Sequence, residues 1–343
     1  MQYRTLGGTG IRVSPYALGA MMFGGIGNPD HDDSIRIIHR ALDAGINVID
    51  TADRYSDGES EEIVGKALKG RREHVVLATK LFAPMGSDPN QQGLSRRWIV
   101  TEVENSLRRL QTDHIDLYQI HRPDPQTDIE ETLSALTDLV RAGKVRAIGS
   151  STMPASDIVE AQRVAERHGL QRFRTEQPTY SILNRGIEAE VLPVAQRYGM
   201  GTLVWSPLAK GMLTGRIRKN QETDLRRATM MAASFRDESR LDAVEKVAAL
   251  AEETGIPMTH LAMGFAIAHP GVTSAIIGPR TMEHLDDLLA GVDVRLGDDV
   301  LDRIDEIVAP GTNVGAPDAS AYLPPALTTA ALRRRPVGER SAS

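Results

Sequence analysis

The chain contains 343 residues with a formal net charge of −6 and a hydrophobic fraction of 41%, a composition that suits one large globular domain. The acidic balance gives no electrostatic footprint for nucleic acid, and the absence of cysteine and of paired histidines excludes disulfides and the usual zinc sites. No stretch is apolar enough to span a bilayer and the N-terminus carries no apolar signal core, so we expect a cytoplasmic protein without a membrane partner.

Eight short runs of mainly aliphatic residues recur along the chain and predict eight strands. Amphipathic stretches such as SIRIIHRALDAG and TEVENSLRRLQ separate them and predict helices, several of which end at a glycine. This alternation favours an α/β fold, a closed parallel (β/α)8 TIM barrel, over an open sheet. The predicted strands cover residues 16–19, 46–50, 75–79, 115–120, 145–149, 173–177, 202–205 and 274–277.

An open dinucleotide-binding sheet would carry the pattern G-x-G-x-x-G after its first strand. The segments GGTGIRV and GGIGNPD both lack the third glycine. Gly65 and Gly70 have the spacing of a phosphate loop, but Arg71 stands where that loop needs lysine. The sequence therefore disfavours both alternatives.

Two segments do not fit the repeating pattern. Residues 210–239 are too long and charged for an ordinary connection, and we expect a functional loop over the barrel mouth. After about residue 310 the chain becomes rich in Pro, Ala and Arg. We therefore expect one barrel domain over residues 1–310 and a partly disordered tail over residues 311–343.

Four polar side chains lie where successive predicted strands end: Asp50, Tyr55, Lys80 and His121. Reacting groups converge at the C-terminal ends of barrel strands, so these four residues predict one proton-transfer site. A phenol is a poor acid at neutral pH unless a nearby cation stabilises its phenolate, and Lys80 is the candidate cation. Asp50 would supply the counter-charge of Lys80, and His121 could orient a carbonyl oxygen.

Each of these residues also has a structural explanation when taken alone. Tyr55 could cover the barrel rim, Lys80 and Asp50 could form a structural ion pair, and His121 could simply end its strand. A Schiff-base role for Lys80 is disfavoured, because a neighbouring carboxylate keeps a lysine protonated. The coincidence of all four at strand ends favours catalysis.

The order and spacing of these residues resemble the aldo-keto reductases, and the resemblance covers nearly the whole chain. YRTLGGTGIRVSPYALGAMMFGG is similar to the N-terminal β-hairpin and first strand of the family, and GINVIDTADRYSDGESEEIVGKAL to its most specific signature. EQPTYSILNR, VWSPLAKGMLTGR and IIGPRTMEHLDDLL resemble its cofactor segments. Within the superfamily, the EQPTYSILNR and WSPLAKG forms resemble most closely the branch that includes potassium-channel β subunits and many bacterial reductases.

The resemblance implies an oxidoreductase that transfers a hydride from NADPH to an aldehyde or ketone. Tyr55 would be the general acid, Lys80 and Asp50 would tune it, and His121 would place the substrate carbonyl. Extended loops at the C-terminal face would shape the substrate pocket, so the particular carbonyl compound and the oligomeric state stay open.

The resemblance also implies which residues bind NADP. Ser151, Thr152 and Gln177 would hold the carboxamide, Trp205 would stack on the nicotinamide, and Asp50 would lie beside it. The remaining cofactor contacts would be Ala20 and Met21 beneath the ring, Ser206, Pro207, Leu208, Lys210 and Arg216 around the pyrophosphate and ribose, and Gly278, Arg280, His284 and Asp287 at the adenosine end.

Arg280 could form charge-assisted bonds to a 2′-phosphate, which favours NADP over NAD. Some positions depart from the family pattern: Thr152 replaces Asn or Arg, Asp287 replaces Glu, Leu288 replaces Asn and Met21 replaces Trp. A second hypothesis is a cofactor-binding regulatory subunit that docks on another protein with little turnover.

Overall fold

The eight predicted strands close into a parallel barrel in the computed structural model, which describes residues 1–219, 235–315 and 322–340. The ring runs in chain order and closes between its last and first strands, where Ile276 lies opposite Ala17. The predicted fold class is confirmed. The barrel strands are β3 (Tyr16–Gly19), β4 (Val48–Asp50), β5 (Val76–Leu81), β6 (Ile115–Ile120), β7 (Val145–Ser151), β8 (Thr175–Gln177), β9 (Gly201–Trp205) and β10 (Ser274–Ile277).

Two short antiparallel strands precede the barrel, β1 (Arg4–Thr5) and β2 (Arg12–Val13). This is the hairpin that the family resemblance implied. Its Leu6 and Val13 are fully buried against the barrel interior, in one cluster with residues such as Leu117. The hairpin therefore closes the N-terminal end of the barrel and leaves the C-terminal mouth for chemistry.

An outer layer of helices covers the barrel. The first helix shows why these segments are helical: the Asp30 side chain caps the Asp33 amide, and Ile37, Ile38 and Ala41 bury one face. The helices are α1 (His31–Asp43), α2 (Glu59–Ala67), α3 (Arg96–Leu110), α4 (Ile129–Arg141), α5 (Ala155–His168), α6 (Val191–Arg197), α7 (Glu238–Thr254), α8 (Met258–Ala268), α9 (Met282–Ala290), α10 (Asp298–Ile307) and α11 (Pro325–Thr328).

Several strand boundaries differ from the prediction. β4 begins at Val48 instead of residue 46, because the Asn47 side chain bonds Arg12 O and the Ser14 amide in the hairpin connection. β5 continues to Leu81, so Lys80 lies inside a strand.

Parts of the predicted loop and tail fall outside the described residues, namely residues 220–234, 316–321 and 341–343. The roles assigned to residues 210–239 and 311–343 therefore stay predictions, as does the domain boundary. Among the described residues, no helix is both long and apolar enough to cross a membrane.

Candidate active site

The barrel interior has an apolar layer with a polar layer above it. Val48, Ala78, Leu117 and Leu203 belong to one buried cluster inside the barrel. Side chains two residues apart on a strand face the same way, so the next inward positions toward the mouth are Asp50, Lys80, Gln119 and Trp205.

Lys80 and Asp50 form a buried ion pair in this polar layer. Asp50 is 2% exposed and Lys80 is 0% exposed. Lys80 Nζ donates to Asp50 Oδ2 at 2.6 Å, to Thr51 O at 2.8 Å and to the Tyr55 hydroxyl at 3.3 Å. An ammonium has three protons, and these three bonds account for all of them.

Lys80 stays protonated although it is buried. Burial alone would lower the pKa of Lys80, but the Asp50 carboxylate and the Tyr55 phenol together raise it above the ordinary value. Lys80 is therefore an ammonium at neutral pH, and its position is fixed by its partners.

Tyr55 reaches the ion pair from the connection after β4. The Thr51 amide donates to Ala78 O at 2.9 Å and the Asp53 amide to Lys80 O at 3.1 Å, which continues the sheet ladder past the strand end. These bonds carry the chain along β5 and place Tyr55, which is half-buried, beside Lys80.

A strained turn follows Tyr55. Ser56 and Asp57 adopt left-handed backbone conformations with φ of 51° and 55°, and Gly58 has φ of 98°. A non-glycine residue in this region costs about 1–2 kcal/mol, and such strain clusters at functional sites. A Cβ on Gly58 would also lie 2.7 Å from Arg109 Cδ, so this position requires glycine.

Burial and charge act in opposite directions on the Tyr55 phenol. Burial raises the pKa of Tyr55, the Lys80 ammonium lowers it, and the Asp50 carboxylate raises it, with a net increase. The expected lowering by Lys80 is therefore present but smaller than the effect of burial. Tyr55 is a protonated phenol at neutral pH, the state that a proton donor needs.

His121 completes the group directly after β6. Its ring meets that of Tyr55 edge to face, with centroids 5.7 Å apart and an interplanar angle of 80°. Burial, with the nearby charges of Lys80 and Arg122, holds the pKa of His121 well below its ordinary value. The structure thus brings Asp50, Tyr55, Lys80 and His121 together, with a neutral imidazole beside the phenol.

The proposed carboxamide contacts lie on adjacent strand ends. Ser151 Oγ donates to Gln177 O at 2.8 Å, and the Thr152 amide donates to the same oxygen at 3.2 Å. Thr152 has φ of 52°, another strained non-glycine position. Ser151, Thr152 and Gln177 therefore form one compact unit at the barrel mouth.

The segment after Trp205 is the second strained stretch at the mouth. Ser206, Ala209 and Lys210 have φ of 61°, 47° and 62°, and the Lys210 amide donates to Ser206 Oγ at 2.9 Å. Pro207 in this turn is buried, whereas Leu208 is half-buried. Such concentrated strain is typical of ligand-binding turns.

The adenosine-end residues are only partly brought together. Arg216 Nη1 lies 3.2 Å from His284 Nε2. Burial lowers the pKa of His284 most, and the positive charges of Arg216 and Arg280 lower it further. The Glu283 and Asp287 carboxylates oppose these two cations, so charges of both signs surround His284. Gly278 and Arg280 are exposed after β10.

Two residues of this segment point elsewhere. The Asp287 carboxylate lies 3.3 Å from His260 of α8, and Leu288 is 5% exposed within the core. Asp287 was predicted to bind the cofactor, but its carboxylate lies beside a protein partner away from the barrel mouth.

Two further residues were predicted to lie beneath the nicotinamide. Ala20 is fully buried, and Met21 is 38% exposed.

The sequence pattern of the aldo/keto reductase family matches residues 16–309, which is most of the chain. This chain belongs to the aldo/keto reductase family. The uncharacterized oxidoreductase YrpG of Bacillus subtilis (strain 168) is 41% identical over 334 residues, covering 94% of this chain and 100% of that protein. The aldo-keto reductase YhdN of the same strain is 40% identical over 296 residues, covering 84% and 88%.

A protein named as a potassium-channel subunit, the other kind of relative that the resemblance named, also matches. The probable voltage-gated potassium channel subunit beta of Oryza sativa subsp. japonica is 36% identical over 320 residues, covering 90% of this chain and 97% of that protein. The family resemblance seen in the sequence is therefore confirmed, with oxidoreductases and channel subunits among the relatives.

This aldo/keto reductase has two site residues that the sequence reasoning missed. Gln119 is fully buried and donates to Asp50 Oδ1 at 3.3 Å, while Gln177 donates to the same oxygen at 2.8 Å. Gln119 could have been found, because it lies two residues beyond Leu117 and therefore faces the barrel interior.

Glu176 is the second missed residue, and it bonds the chain on both sides of Ser151 and Thr152. Its carboxylate accepts the Ser150 hydroxyl at 2.5 Å and the Met153 amide at 3.1 Å, and so brackets Ser151 and Thr152. Burial outweighs these bonds and raises the pKa of Glu176 to about 7.

The titration of Glu176 predicts a pH dependence of stability. A folded pKa of about 7 against an ordinary 4.5 means that the folded state binds the proton more tightly. The stabilisation is complete below the unfolded pKa and is lost as pH rises through about 7, a change of roughly 3 kcal/mol. Urea unfolding of Glu176→Gln should show a smaller decline over this range than the wild type.

The exposed Glu160→Gln on α5 is the matched control and should keep the wild-type decline. An identical pH slope for Glu176→Gln and the wild type would contradict the assignment to Glu176.

Proposed function

We propose that this aldo/keto reductase reduces an aldehyde or ketone with NADPH, with Tyr55 as the proton donor. The observation that carries the proposal is the contact of 3.3 Å between Lys80 Nζ and the Tyr55 hydroxyl, anchored by the 2.6 Å bond to Asp50. NADPH, when bound, supplies the hydride to the carbonyl carbon. The carbonyl oxygen, which gains negative charge, takes the proton of Tyr55.

The other site residues prepare Tyr55 for this step. Proton loss would leave a phenolate, and the Lys80 ammonium stabilises it by charge across the existing contact. Asp50 holds Lys80 in place, and the neutral His121 ring beside Tyr55 can donate an N–H to the carbonyl oxygen. The donor is restored when the phenolate takes a proton from water.

The residues at the mouth fit a nicotinamide dinucleotide. Gln177, Ser151 and Thr152 would hold the carboxamide, and Trp205, half-buried at the end of β9, would stack on the ring. The strained turn over residues 206–210 would follow the pyrophosphate, with Arg216 nearby. The exposed Arg280 guanidinium would bind the 2′-phosphate, which NADH lacks, and so favours NADPH.

A cofactor-binding regulatory subunit is the second candidate function. The similarity to the rice protein named as a potassium channel subunit favours it. The site itself favours the enzyme, because a buried, fully bonded Lys80 beside a phenol is costly to keep without a chemical role.

The test combines turnover with cofactor binding on the full chain. We expect NADPH oxidation, followed by absorbance, when 4-nitrobenzaldehyde is added, and slower oxidation of NADH. We also expect NADPH to quench Trp205 fluorescence. The chain has only one other tryptophan, Trp98, which is 2% exposed in α3 and serves as an internal reference.

Trp205→Leu should abolish the quenching and leave the emission of Trp98. Persistent quenching in this variant would contradict the stacking assignment. Quenching in the wild type without oxidation across a panel of carbonyl compounds would favour the regulatory subunit instead.

A further inference from the structure

The two oxygens of Asp50 have different partners. Oδ2 takes the Lys80 ammonium, whereas Oδ1 takes two side-chain amides, from Gln177 at 2.8 Å and from Gln119 at 3.3 Å. Gln177 Nε2 also lies 3.4 Å from Gln119 Oε1, which links the two amides to each other. All four side chains are buried at the barrel mouth.

We propose that Gln119 is a positioning residue that couples the carboxamide end of the cofactor site to the Asp50–Lys80–Tyr55 proton donor. The inference rests on the proposed function, since it assigns Gln177 to the carboxamide. It gives Gln119 a part in the reaction without contact to the reacting atoms.

The charge of Asp50 fixes the orientation of both amides. An ionised carboxylate only accepts hydrogen bonds, so Gln119 and Gln177 must each present Nε2 to it. Gln119 then turns its Oε1 to Gln177, which fixes Nε2 of Gln177 a second time. The Oε1 of Gln177 is left on the side away from Asp50, where it can accept an N–H from the nicotinamide carboxamide.

Gln119 also gives Asp50 a second amide donor. If Gln177 shifts toward the carboxamide, Gln119 still neutralises part of the charge on Oδ1. Without Gln119, a shift of Gln177 would leave that oxygen with no amide donor, and the cofactor and Asp50 would compete for one side chain. We therefore expect Gln119 to support cofactor binding and the proton donor together.

The packing around Gln119 holds it in this position. Gln119 lies opposite Lys80 on β5 and opposite Gly149 on β7. A Cβ on Gly149 would lie 3.2 Å from Gln119 Cγ and 2.1 Å from Thr175 Oγ1, so the glycine provides the space that both side chains occupy. A buried amide without partners is costly, and the partners of Gln119 are site residues.

Gln119→Met is the test, because methionine keeps the length of the side chain and removes both hydrogen bonds. Fluorescence titration of Trp205 should show a Kd for NADPH raised about tenfold, the loss expected for one bond to a charged group. The alkaline pH at which kcat begins to decline should also rise. Asp50 loses one hydrogen-bond donor in this variant, and its carboxylate charge then raises the pKa of Tyr55 further.

Thr175→Val is the matched control. Thr175 is fully buried against the same Gly149, and its Oγ1 has no hydrogen-bond partner among the described residues. This variant alters the same packing without touching Asp50, so its Kd and its pH profile should stay at the wild-type values. Thermal unfolding of both variants checks that each is folded.

A double-mutant cycle separates coupling from packing. If Gln119 acts through Gln177 and Asp50, Gln119→Met should have little further effect on Kd in a Gln177→Met background. Additive effects, or an unchanged Kd and pH profile in Gln119→Met, would overturn the inference while the proposed function stands. A wild-type chain that binds no NADPH would overturn both.

Discussion

Tyr55→Phe should lower kcat for carbonyl reduction by about 10²- to 10⁴-fold, the range for loss of a positioned general acid. Only the hydroxyl is removed, and the ring that packs edge to face on His121 stays. The Kd for NADPH should therefore remain close to the wild-type value. Stopped-flow or steady-state loss of NADPH absorbance, together with quenching of Trp205, measures the two quantities separately.

The matched control is Tyr3→Phe, which removes a hydroxyl bonded to Gly45 O on the exposed hairpin, far from the barrel mouth. It should turn over as the wild type does. Retained turnover in Tyr55→Phe would remove the proton-donor role and leave Tyr55 as a structural residue of the rim.

The same assignment predicts the pH dependence of the wild type. The pKa of Tyr55 is raised above its ordinary value near 10, because burial outweighs the Lys80 charge. A proton donor acts while it is protonated, so the reduction rate should stay level through neutral pH and decline only above that ordinary value. A decline near neutral pH would show that another group limits the reduction.

Much of the fold was readable from the sequence because its signals are local. The strands at residues 16–19, 115–120 and 274–277 match the structure at both ends, since each is a short apolar run between polar segments. The strand predicted from residue 46 begins later because the Asn47 side chain bonds the backbone of Arg12 and Ser14 in the hairpin connection. Such a partner is distant in sequence and leaves no local signal.

The site was predictable where chemistry coincides with a strand end. Asp50, Lys80 and His121 lie at or next to such ends, and the structure brings them to Tyr55. Gln119 and Glu176 each lie one residue before a strand end, as Lys80 does. Alternation with Leu117 is a sequence signal for Gln119, whereas the contacts of Glu176 depend on the barrel register. The direction of the Tyr55 pKa shift could not be predicted from the sequence, because it depends mainly on how deeply the folded barrel mouth buries the phenol.

A buried charge network beneath the Tyr55 turn predicts the largest effect on stability. Arg109 of α3 donates to Glu61 at 2.6 Å and to Glu102 at 2.5 Å, and both carboxylates are fully buried. Asp53 is also fully buried, and burial with the charges of the two glutamates raises its pKa well above the ordinary value, while the Arg109 charge opposes this. The guanidinium therefore bonds two buried carboxylates and acts by charge on a third carboxyl group, and Arg109 Cδ packs under Gly58 in the strained turn.

Arg109→Met should lower the free energy of unfolding by about 3–5 kcal/mol, the cost of leaving buried charges without their partner. Methionine keeps aliphatic volume beneath Gly58, so the loss reports mainly on charge. Urea unfolding followed by circular dichroism measures it, with Arg108→Met as the control, because Arg108 is the exposed neighbour on the same helix. The control should change stability by less than about 0.5 kcal/mol.

The pH dependence of this loss identifies its cause. Burial raises the pKa of Glu61 despite the Arg109 charge, and removal of Arg109 removes the interaction that opposes burial. Since a raised carboxyl pKa favours the folded state only while the group is protonated, the deficit of Arg109→Met should shrink as pH falls and grow as pH rises. A deficit that does not change with pH would point to lost packing under the Tyr55 turn, and Arg109 would then act as a spacer instead of a counter-ion.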